Sequence, residues 1–351
     1  MSNNKIKIGL IGAGDNTKLR HIPGFQKLNN VEIISVSNRS IQSSTKIAKE
    51  YNIPVIHKNW KELIEDTNID AVCIGTWPNM HHTLAIESLK NNKHVLTEAR
   101  MAMNSQDAHK MLNASKSKPH LITQIVPAPI TFKVDSTIKK IIEEDALGNI
   151  LSVDLSTHND ASGNGGFLDE KTTFHWRENR DISGYNIMQM GIWYETLMRW
   201  LGTAQSVISL TKVNVNKRRD QNNDFKYITI PDHVEILSEL NIGAIAHMRF
   251  SSVTGLAPDD KLWIFGSKGT LMLDINKMDI YIGKKETPNL SKIDIPKEDE
   301  GYWRVEEEFI NSILGLEEVT HTSFEDGVKY MEFTEAVTKS MQSGKKINLP
   351  L

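Results

Sequence analysis

Lys5-Ile6-Lys7-Ile8-Gly9-Leu10-Ile11-Gly12-Ala13-Gly14 is the stretch that decides the fold. Apolar residues up to Ile11 read as a buried strand, and the glycines that end it read as a sharp turn into a helix. Gly-x-Gly alone is weak evidence, because tight turns use glycine for many reasons. Its context strengthens it: a buried strand before, a helix-like stretch after, and a second strand, "VEIISVSN" (31–38), in place. In that setting Gly12 permits the turn and Gly14 lets the backbone approach a pyrophosphate at the helix start. Thr17 stands where a third glycine often does.

The same rhythm continues outward. "IDAVCIGT" (69–76), "KHVLTEA" (93–99) and "HLITQIV" (120–126) are further short apolar runs bounded by turn residues. Between them lie helical patterns such as "HHTLAIESLKNN" (81–92) and "NSQDAHKMLNASKS" (104–117), the latter with Asn104 or Ser105 as its cap. This alternation predicts a Rossmann-type, doubly wound parallel sheet covered by helices on both faces, over residues 1–124.

After Pro127-Ala128-Pro129 the pattern changes. A helix with Ile138, Ile141 and Ile142 precedes the strand "NILSVDLSTH" (149–158). A Gly-rich loop (159–184) then leads to a helix, "YNIMQMGIWYETLMRWLG" (185–202). Strand runs follow at 207–215, 234–240, 243–252, 260–267 and 269–275, and two late helices at 302–315 and 324–344. Residues 125–351 therefore read as a second domain of α+β type: a large open, mainly antiparallel sheet with helices on one face.

Bulk properties narrow the class of function. The chain has 351 residues, with 41 Lys plus Arg against 44 Asp plus Glu and no basic tract, which argues against a nucleic-acid partner. No long apolar run suggests a membrane span, and no charged-then-apolar leader opens the chain. One cysteine, Cys73, sits inside an apolar run, so no disulfide forms within the chain. These features suit a soluble, globular, cytoplasmic protein. The carboxylates Glu306, Glu307 and Glu308 diverge around a helix, which favours a solvated face over a metal site. No His/Cys/Asp set has ligand spacing, so no metal is expected.

The second strand ends Ser37-Asn38-Arg39-Ser40. Enzymes using NAD commonly carry a carboxylate here for the ribose hydroxyls. Asn38 removes the charge that repels a 2′-phosphate, Arg39 adds a fork of donors suited to one, and Ser40 flanks the pair. NADP(H) is favoured over NAD(H) on this basis.

Taken together, the residues resemble the glucose-fructose oxidoreductase/inositol dehydrogenase/MocA (Gfo/Idh/MocA) family. The likeness spans nearly the whole chain and is most specific from Ile69 through Pro78-Asn79-x-x-His82 to Glu98. The resemblance implies a Rossmann domain, a sugar, cyclitol or other small polyhydroxy substrate, and a homodimer or homotetramer formed through the C-terminal sheet. It implies cofactor contacts from Thr76, Trp77, Pro78, His82 and Glu98. The departures matter. Where the family usually has Glu-Lys-Pro, this chain has Glu98-Ala99-Arg100. The family's helix motif, Asp-x-Gly-x-His-x-x-Asp, aligns with Gln189, Gly191, Trp193 and Thr196, so its Asp, His and Asp are replaced.

Interconverting an alcohol and a carbonyl needs a hydride partner and a group that moves a proton. The residues that offer proton transfer are His175, on the loop before the substituted helix, and Tyr185 and Tyr194 on that helix. Tyr194 also falls on an apolar stripe with Ile187, Met190, Leu197 and Leu201, which favours core packing. Arg100 and Arg177 suit binding or polarising a substrate, as does Gln189. Trp193 offers an aromatic face for a sugar. Three readings stay open: an NAD(P)-dependent oxidoreductase with a non-standard acid/base; a redox-neutral glycosidase or lyase that uses tightly bound cofactor transiently; and a non-catalytic nucleotide-binding scaffold.

Overall fold

A computed structural model describes residues 5–158 and 165–351. The chain forms two compact units. One is Met1–Pro127 together with Arg304–Met331, and the other is Ala128–Trp303 together with Glu332–Leu351. Thus the chain leaves the first unit after Pro127 and returns to it with the 28 residues Arg304–Met331.

In the first unit the strands are β1 (Ile6–Ile11), β2 (Val31–Ser37), β3 (Val55–Ile56), β4 (Ala71–Ile74), β5 (His94–Thr97) and β6 (Thr123–Ile125). They pair in parallel in the order β3-β2-β1-β4-β5-β6, the doubly wound arrangement. The strands read as continuous apolar runs because both sheet faces are covered: Ile8, Leu10, Val72, Ile74, Val95 and Leu96 are all fully buried. Side-chain caps start the intervening helices, Ser40 for Ile41–Tyr51, Asn59 for Trp60–Glu65 and Asn104 for Ser105–Lys116. Strand order reverses between β1 and β4. At such a switch point the carboxyl ends of the strands open a crevice for a ligand.

The second unit carries β7 (Ile150–Thr157), β8 (Ala204–Lys212), β9 (Lys217–Arg219), β10 (Phe225–Tyr227), β11 (His233–Leu240), β12 (Ile245–Ser251), β13 (Lys261–Gly266), β14 (Gly269–Asp274), β15 (Asp279–Lys284), β16 (Thr287–Ile293) and β17 (Ile347–Asn348). Nine of them form one sheet in the order β16-β15-β14-β13-β7-β12-β11-β8-β17, and β9 and β10 pair as a separate hairpin. The large sheet is antiparallel except for the parallel pair β7 and β12. Alternation along the strands separates its two faces. Val153, Leu155, Val234, Ile236, Met248, Leu262 and Ile264 point into the core. Ile208, Leu210, Leu237, Ile245 and Phe265 are exposed on the other side. The end of the helix Phe324–Ser343 docks on the buried side, where Ser209 donates its hydroxyl to the Val337 carbonyl (2.7 Å) and its N–H to Ser340 (3.0 Å).

The helix that carries Gln189 runs from Met188 to Leu201, three residues later than the sequence suggested. Gly184, at φ +64°, and an Asn186 amide bonded to the Ser183 carbonyl (2.6 Å) make a turn of the preceding residues. A buried network fixes the helix from below. Arg199 faces Asp135 (3.1 Å), Trp200 donates to the same carboxylate (2.8 Å), and Glu195 accepts the Ala128 N–H (3.0 Å). Of the long loop before it, Asn159 to Asn164 lie outside the described residues. The rest includes two short helical turns, Trp176–Glu178 and Arg180–Ser183.

Candidate cofactor and substrate sites

At the switch point of the first unit three glycines meet. Gly12 turns the chain at φ +82°, and its N–H donates to the Ser37 carbonyl (2.9 Å). Gly75, just after β4, donates its N–H to Ile11 (2.8 Å). A Cβ on Gly75 would lie 2.1 Å from both the Gly12 carbonyl oxygen and Thr17 Oγ1, and one on Gly14 would lie 3.3 Å from the Gly75 oxygen. Only glycine lets the two strand ends approach this closely. Thr17, where the third glycine often stands, is buried, with its hydroxyl on the Gly12 carbonyl (3.2 Å).

Asn38 staples this turn to the end of β2. Its Oδ1 accepts the Ala13 N–H (2.7 Å), and its Nδ2 donates to Ser43 (2.9 Å). Ser40 caps the next helix by accepting the Ser43 N–H. The Arg39 guanidinium carbon is 5.8 Å from the centre of the Trp77 ring, which is 38 % exposed at the start of the helix Pro78–Lys90. Trp77 follows Thr76, so Arg39, Thr76, Trp77 and Pro78 all stand at the carboxyl edge of the sheet. The cradle therefore fits a dinucleotide: close-approach glycines at the crevice, and a cation and an aromatic ring beyond the end of β2.

Glu98, just after β5, accepts from Asn16 Nδ2 (2.6 Å) and faces His21 Nε2 (3.0 Å). The other nitrogen of His21 faces Glu306 (2.5 Å). His21 is fully buried. Burial pulls its pKa down, but the hydrogen bonds to Glu306 and then Glu98 outweigh it and raise the value to about 9. Burial likewise pushes the Glu98 carboxyl up, and His21 overrides it to hold the group below its usual range. The expectation of a solvated Glu306–Glu308 face is thus corrected for two of the three. Glu306 and Glu308 are buried, the first on His21 and the second on Gln124 (2.6 Å) and the Thr320 N–H (2.9 Å).

The raised His21 value has a consequence for stability. Its folded pKa lies above the unfolded value near 6.5, so its contribution is complete below about pH 6.5 and is lost as pH rises through about 9. Denaturant unfolding should lose on the order of 2–3 kcal/mol between those limits. The loss should be absent in His21→Gln; an equal fall in both chains would contradict the assignment.

Sequence reading singled out His82, which is half-buried, and passed over its neighbour. His81 is fully buried, its Nδ1 on the Arg100 carbonyl (2.9 Å) and its Nε2 on the Thr76 carbonyl (3.0 Å). Burial holds its pKa below the ordinary value. It ties the turn after β4 to the segment after β5. Arg100 itself is 8 % exposed, with its guanidinium over the Tyr330 ring (5.1 Å), and the Tyr330 hydroxyl accepts the Met101 N–H (2.7 Å).

In the second unit a cavity of about 300 Å³ lies under the β9–β10 hairpin. His175, Arg177, Glu178, Gln189 and Arg218 supply polar groups to its wall, and Phe174, Ile187, Ile228, Ile230 and Phe250 supply much of the apolar surface. His175 caps the turn Trp176–Glu178. Its Nδ1 accepts the Arg177 N–H (3.3 Å), and its own N–H donates to Glu178 (2.9 Å). Burial, then the Arg177 and Arg218 charges, lower its pKa, so the ring is neutral at neutral pH. Arg218 is 2 % exposed and paired with Glu178. Neither was singled out from sequence; an arginine alternating with charged neighbours in "NKRRD" reads as solvated. The structure thus brings His175, Arg177 and Gln189 around one cavity.

Two expectations are corrected. Tyr194 is buried and stacks on Phe333 at 3.5 Å between ring centres, and its hydroxyl accepts the Ala204 N–H (3.0 Å). Burial raises its pKa far above the usual tyrosine value. It is a core residue, as its apolar stripe suggested, and not an acid. Trp193 is 2 % exposed and has no open face for a sugar ring. Tyr185 is half-buried under Arg180 (5.5 Å) and does not line the cavity.

Ser156, His158 and Asp260 also form a chain, with Ser Oγ 3.2 Å from His Nε2 and His Nδ1 2.8 Å from the carboxylate. Ser156 lies within β7 between two paired strands, β12 and β13. Backbone N–H groups committed to that ladder cannot hold an oxyanion. Among the described residues no group of three or more His, Cys, Asp or Glu side chains is arranged for a metal ion, and no helix is long and apolar enough to cross a membrane.

Comparison with known proteins decides the lineage. A family model described as "Oxidoreductase family, NAD-binding Rossmann fold" matches residues 6–124, and the GFO/IDH/MocA C-terminal domain matches residues 136–272. The chain belongs to the Gfo/Idh/MocA oxidoreductase family. An uncharacterized oxidoreductase of Synechocystis sp. is 22 % identical over 285 residues, covering 79 % of this chain and 74 % of that protein. Among solved structures, levoglucosan dehydrogenase in complex with NADH and L-sorbose superposes with a TM-score of 0.84 at 18 % identity, covering 99 % of both chains. The WlbA dehydrogenase from Bordetella pertussis, in complex with NADH and UDP-GlcNAcA, gives 0.79 at 20 % identity, covering 99 % of this chain and 100 % of that one. At these identities the structural likeness establishes the fold. Thr196 bonds the Ile192 carbonyl (3.1 Å) inside the core.

Proposed function

We propose that the protein transfers hydride between NADP(H) and a small polyhydroxy compound, a sugar, cyclitol or relative, with His175 as the proton-transfer group. The observation that carries this reading is the gathering of His175, Arg177, Gln189 and Arg218 around one cavity in a chain that also holds a glycine cradle for a dinucleotide. A bound nicotinamide would donate or accept the hydride. To take a proton from the substrate hydroxyl at Nε2 the neutral ring must carry its own proton on Nδ1, so the long Arg177 N–H contact at Nδ1 (3.3 Å) is given up when substrate binds. Arg177 places a guanidinium where it can stabilise developing alkoxide, and Gln189 offers both a donor and an acceptor for hydroxyl groups. Arg39, with no carboxylate at Asn38, supports the NADP(H) preference, and the solved relatives' complexes with NADH and with sugars support the chemistry.

The direct test is a panel of sugars, cyclitols and dihydrodiols incubated with the protein and NADP⁺ or NADPH, with nicotinamide absorbance followed. Net reduction or oxidation of the cofactor with at least one polyhydroxy compound supports the proposal. Product formed without net cofactor change would instead support the redox-neutral reading, and binding without any turnover would support the scaffold.

The same reading includes an oligomer. Leu237 pairs with Ile208 across β11 and β8, and both lie exposed on the outer face with Leu210, Ile245 and Phe265. An exposed apolar row on a sheet face is suited to a second copy of the chain. Changing Leu237→Glu should convert a dimer or tetramer to monomer by light scattering, with the circular dichroism spectrum kept. A natural chain that is already monomeric at micromolar concentration would sink this part.

A further inference from the structure

We infer that the buried group His21, Glu98 and Glu306 acts as a fixed single negative charge that biases the cofactor site toward the oxidised, positively charged nicotinamide. The inference rests on the dinucleotide reading of the first unit. In a doubly wound sheet the glycine turn after β1 holds the pyrophosphate, and the two nucleotide halves lie on either side of the switch point. Arg39 and Ser40, after β2, mark the adenosine side. Glu98, after β5, therefore stands on the nicotinamide side.

The charge follows from the geometry. Two carboxylates face opposite nitrogens of one imidazole, at 2.5 and 3.0 Å. Each of these short contacts needs a proton between its atoms, because two bare lone pairs repel. One imidazole and two carboxylates holding two such protons carry a net charge of minus one, whichever atom formally bears each proton. Asn16 donates to the same oxygen of Glu98 (2.6 Å), as suits an ionised carboxylate. His21 and Glu306 are shut away from solvent, while the Glu98 side chain keeps 16 % of its surface exposed, so the group reaches the crevice through Glu98. Two further titratable groups lie close by. His81 faces two neutral carbonyls rather than carboxylates, and burial lowers its pKa. Its single ring proton serves one carbonyl and the other contact is a much weaker repulsion than a carboxylate would give, so it adds no charge at neutral pH. The buried thiol of Cys73 is pushed up by desolvation and then by Glu98 and Glu306, so it stays protonated and adds no charge. The nearby cation, Arg100, lies over the Tyr330 ring.

Hydride addition cancels the positive charge of the nicotinamide ring. A buried negative charge close by, poorly screened by salt, thus favours the oxidised form over the reduced form. It lowers the Kd of NADP⁺ relative to that of NADPH and makes bound NADPH the stronger hydride donor.

The test is the ratio of Kd for NADPH to Kd for NADP⁺, measured by calorimetry or fluorescence on the full chain. In the double variant Glu98→Gln/Glu306→Gln a neutral imidazole can donate to one amide and accept from the other, so the group stays bonded without charge. The ratio is expected to fall about tenfold, which for a two-electron couple is about 30 mV in the potential of the bound cofactor. Glu98→Gln alone keeps the His21–Glu306 pair behind the imidazole and should move the ratio the same way by less. Because both forms of the cofactor share any loss of fold or affinity, the ratio isolates the charge. A ratio unchanged within twofold in a folded variant that still binds both forms overturns this inference alone, whereas failure of the natural chain to bind either form overturns the dinucleotide reading beneath it.

Discussion

Replacing His175 with alanine should lower kcat by roughly 10²–10⁴-fold, the usual worth of a positioned acid/base. The Kd for NADP(H) should be unchanged, because His175 belongs to the cavity of the second unit and the glycine cradle to the first. His175 also caps a helical turn through Nδ1, so alanine removes a structural acceptor as well as a base. His175→Asn separates the two roles, since its carbonyl can keep the cap but cannot take a proton. If the role is catalytic, asparagine is as slow as alanine, although its melting temperature recovers. The pH profile gives a second readout. The pKa of His175 is depressed, so its base form persists below the pH at which an ordinary histidine protonates, and alcohol oxidation should hold below that point before falling. An asparagine variant with near-natural kcat would remove His175 from the chemistry.

Gly75→Ala should destabilise the chain by roughly 3 kcal/mol or more and abolish the stabilisation given by nucleotide. The new methyl group would sit 2.1 Å from the Gly12 carbonyl oxygen, an atom fixed in the backbone of the opposite turn. Relief requires β1 and β4 to part at their carboxyl ends, and that moves the surface meant for the pyrophosphate. Gly14→Ala is the contrast, because its Cβ would meet the Gly75 oxygen at 3.3 Å and needs only a few tenths of an ångström. It should fold nearly as well as the natural chain yet bind nucleotide more weakly, since the methyl group stands where the phosphates approach. Urea unfolding with and without NADP⁺ measures both effects. Equal stability of Gly75→Ala and the natural chain would show that the strand ends have slack that the geometry denies.

Much of the first unit was legible because its strands are buried on both faces and read as unbroken apolar runs between turn residues. The exception is β3, whose two residues, Val55 and Ile56, are partly exposed and carry no pattern. In the second unit the strongly alternating strands were visible, while β9, β10, β15, β16 and β17 are short or polar, and the parallel pairing of β7 with β12 leaves no local trace. The return of Arg304–Met331 to the first unit is hidden for the same reason. Glu306 is buried because His21, 285 residues earlier, meets it, and without that partner three carboxylates in a row look solvated. His175, Arg177 and Gln189 could be singled out from chemistry and resemblance. Arg218 and Glu178 could not, because their burial depends on a hairpin packing over a loop. Tyr194 shows the reverse: the periodicity that placed it in the core outweighed the chemistry that made it attractive as an acid.

The measurement that bears most directly on the account is thermal unfolding of the purified chain with NADP⁺, NADPH, NAD⁺, NADH or no addition, after mass analysis has excluded a nucleotide already bound. A ligand at about 100 times its Kd adds roughly 2.7 kcal/mol, enough to shift the melting temperature by several degrees. Clear stabilisation by nicotinamide nucleotides, larger for the NADP pair than for the NAD pair, is the predicted result. No shift with any of the four would contradict the account, and would leave the glycine cradle as a fold element without a cofactor.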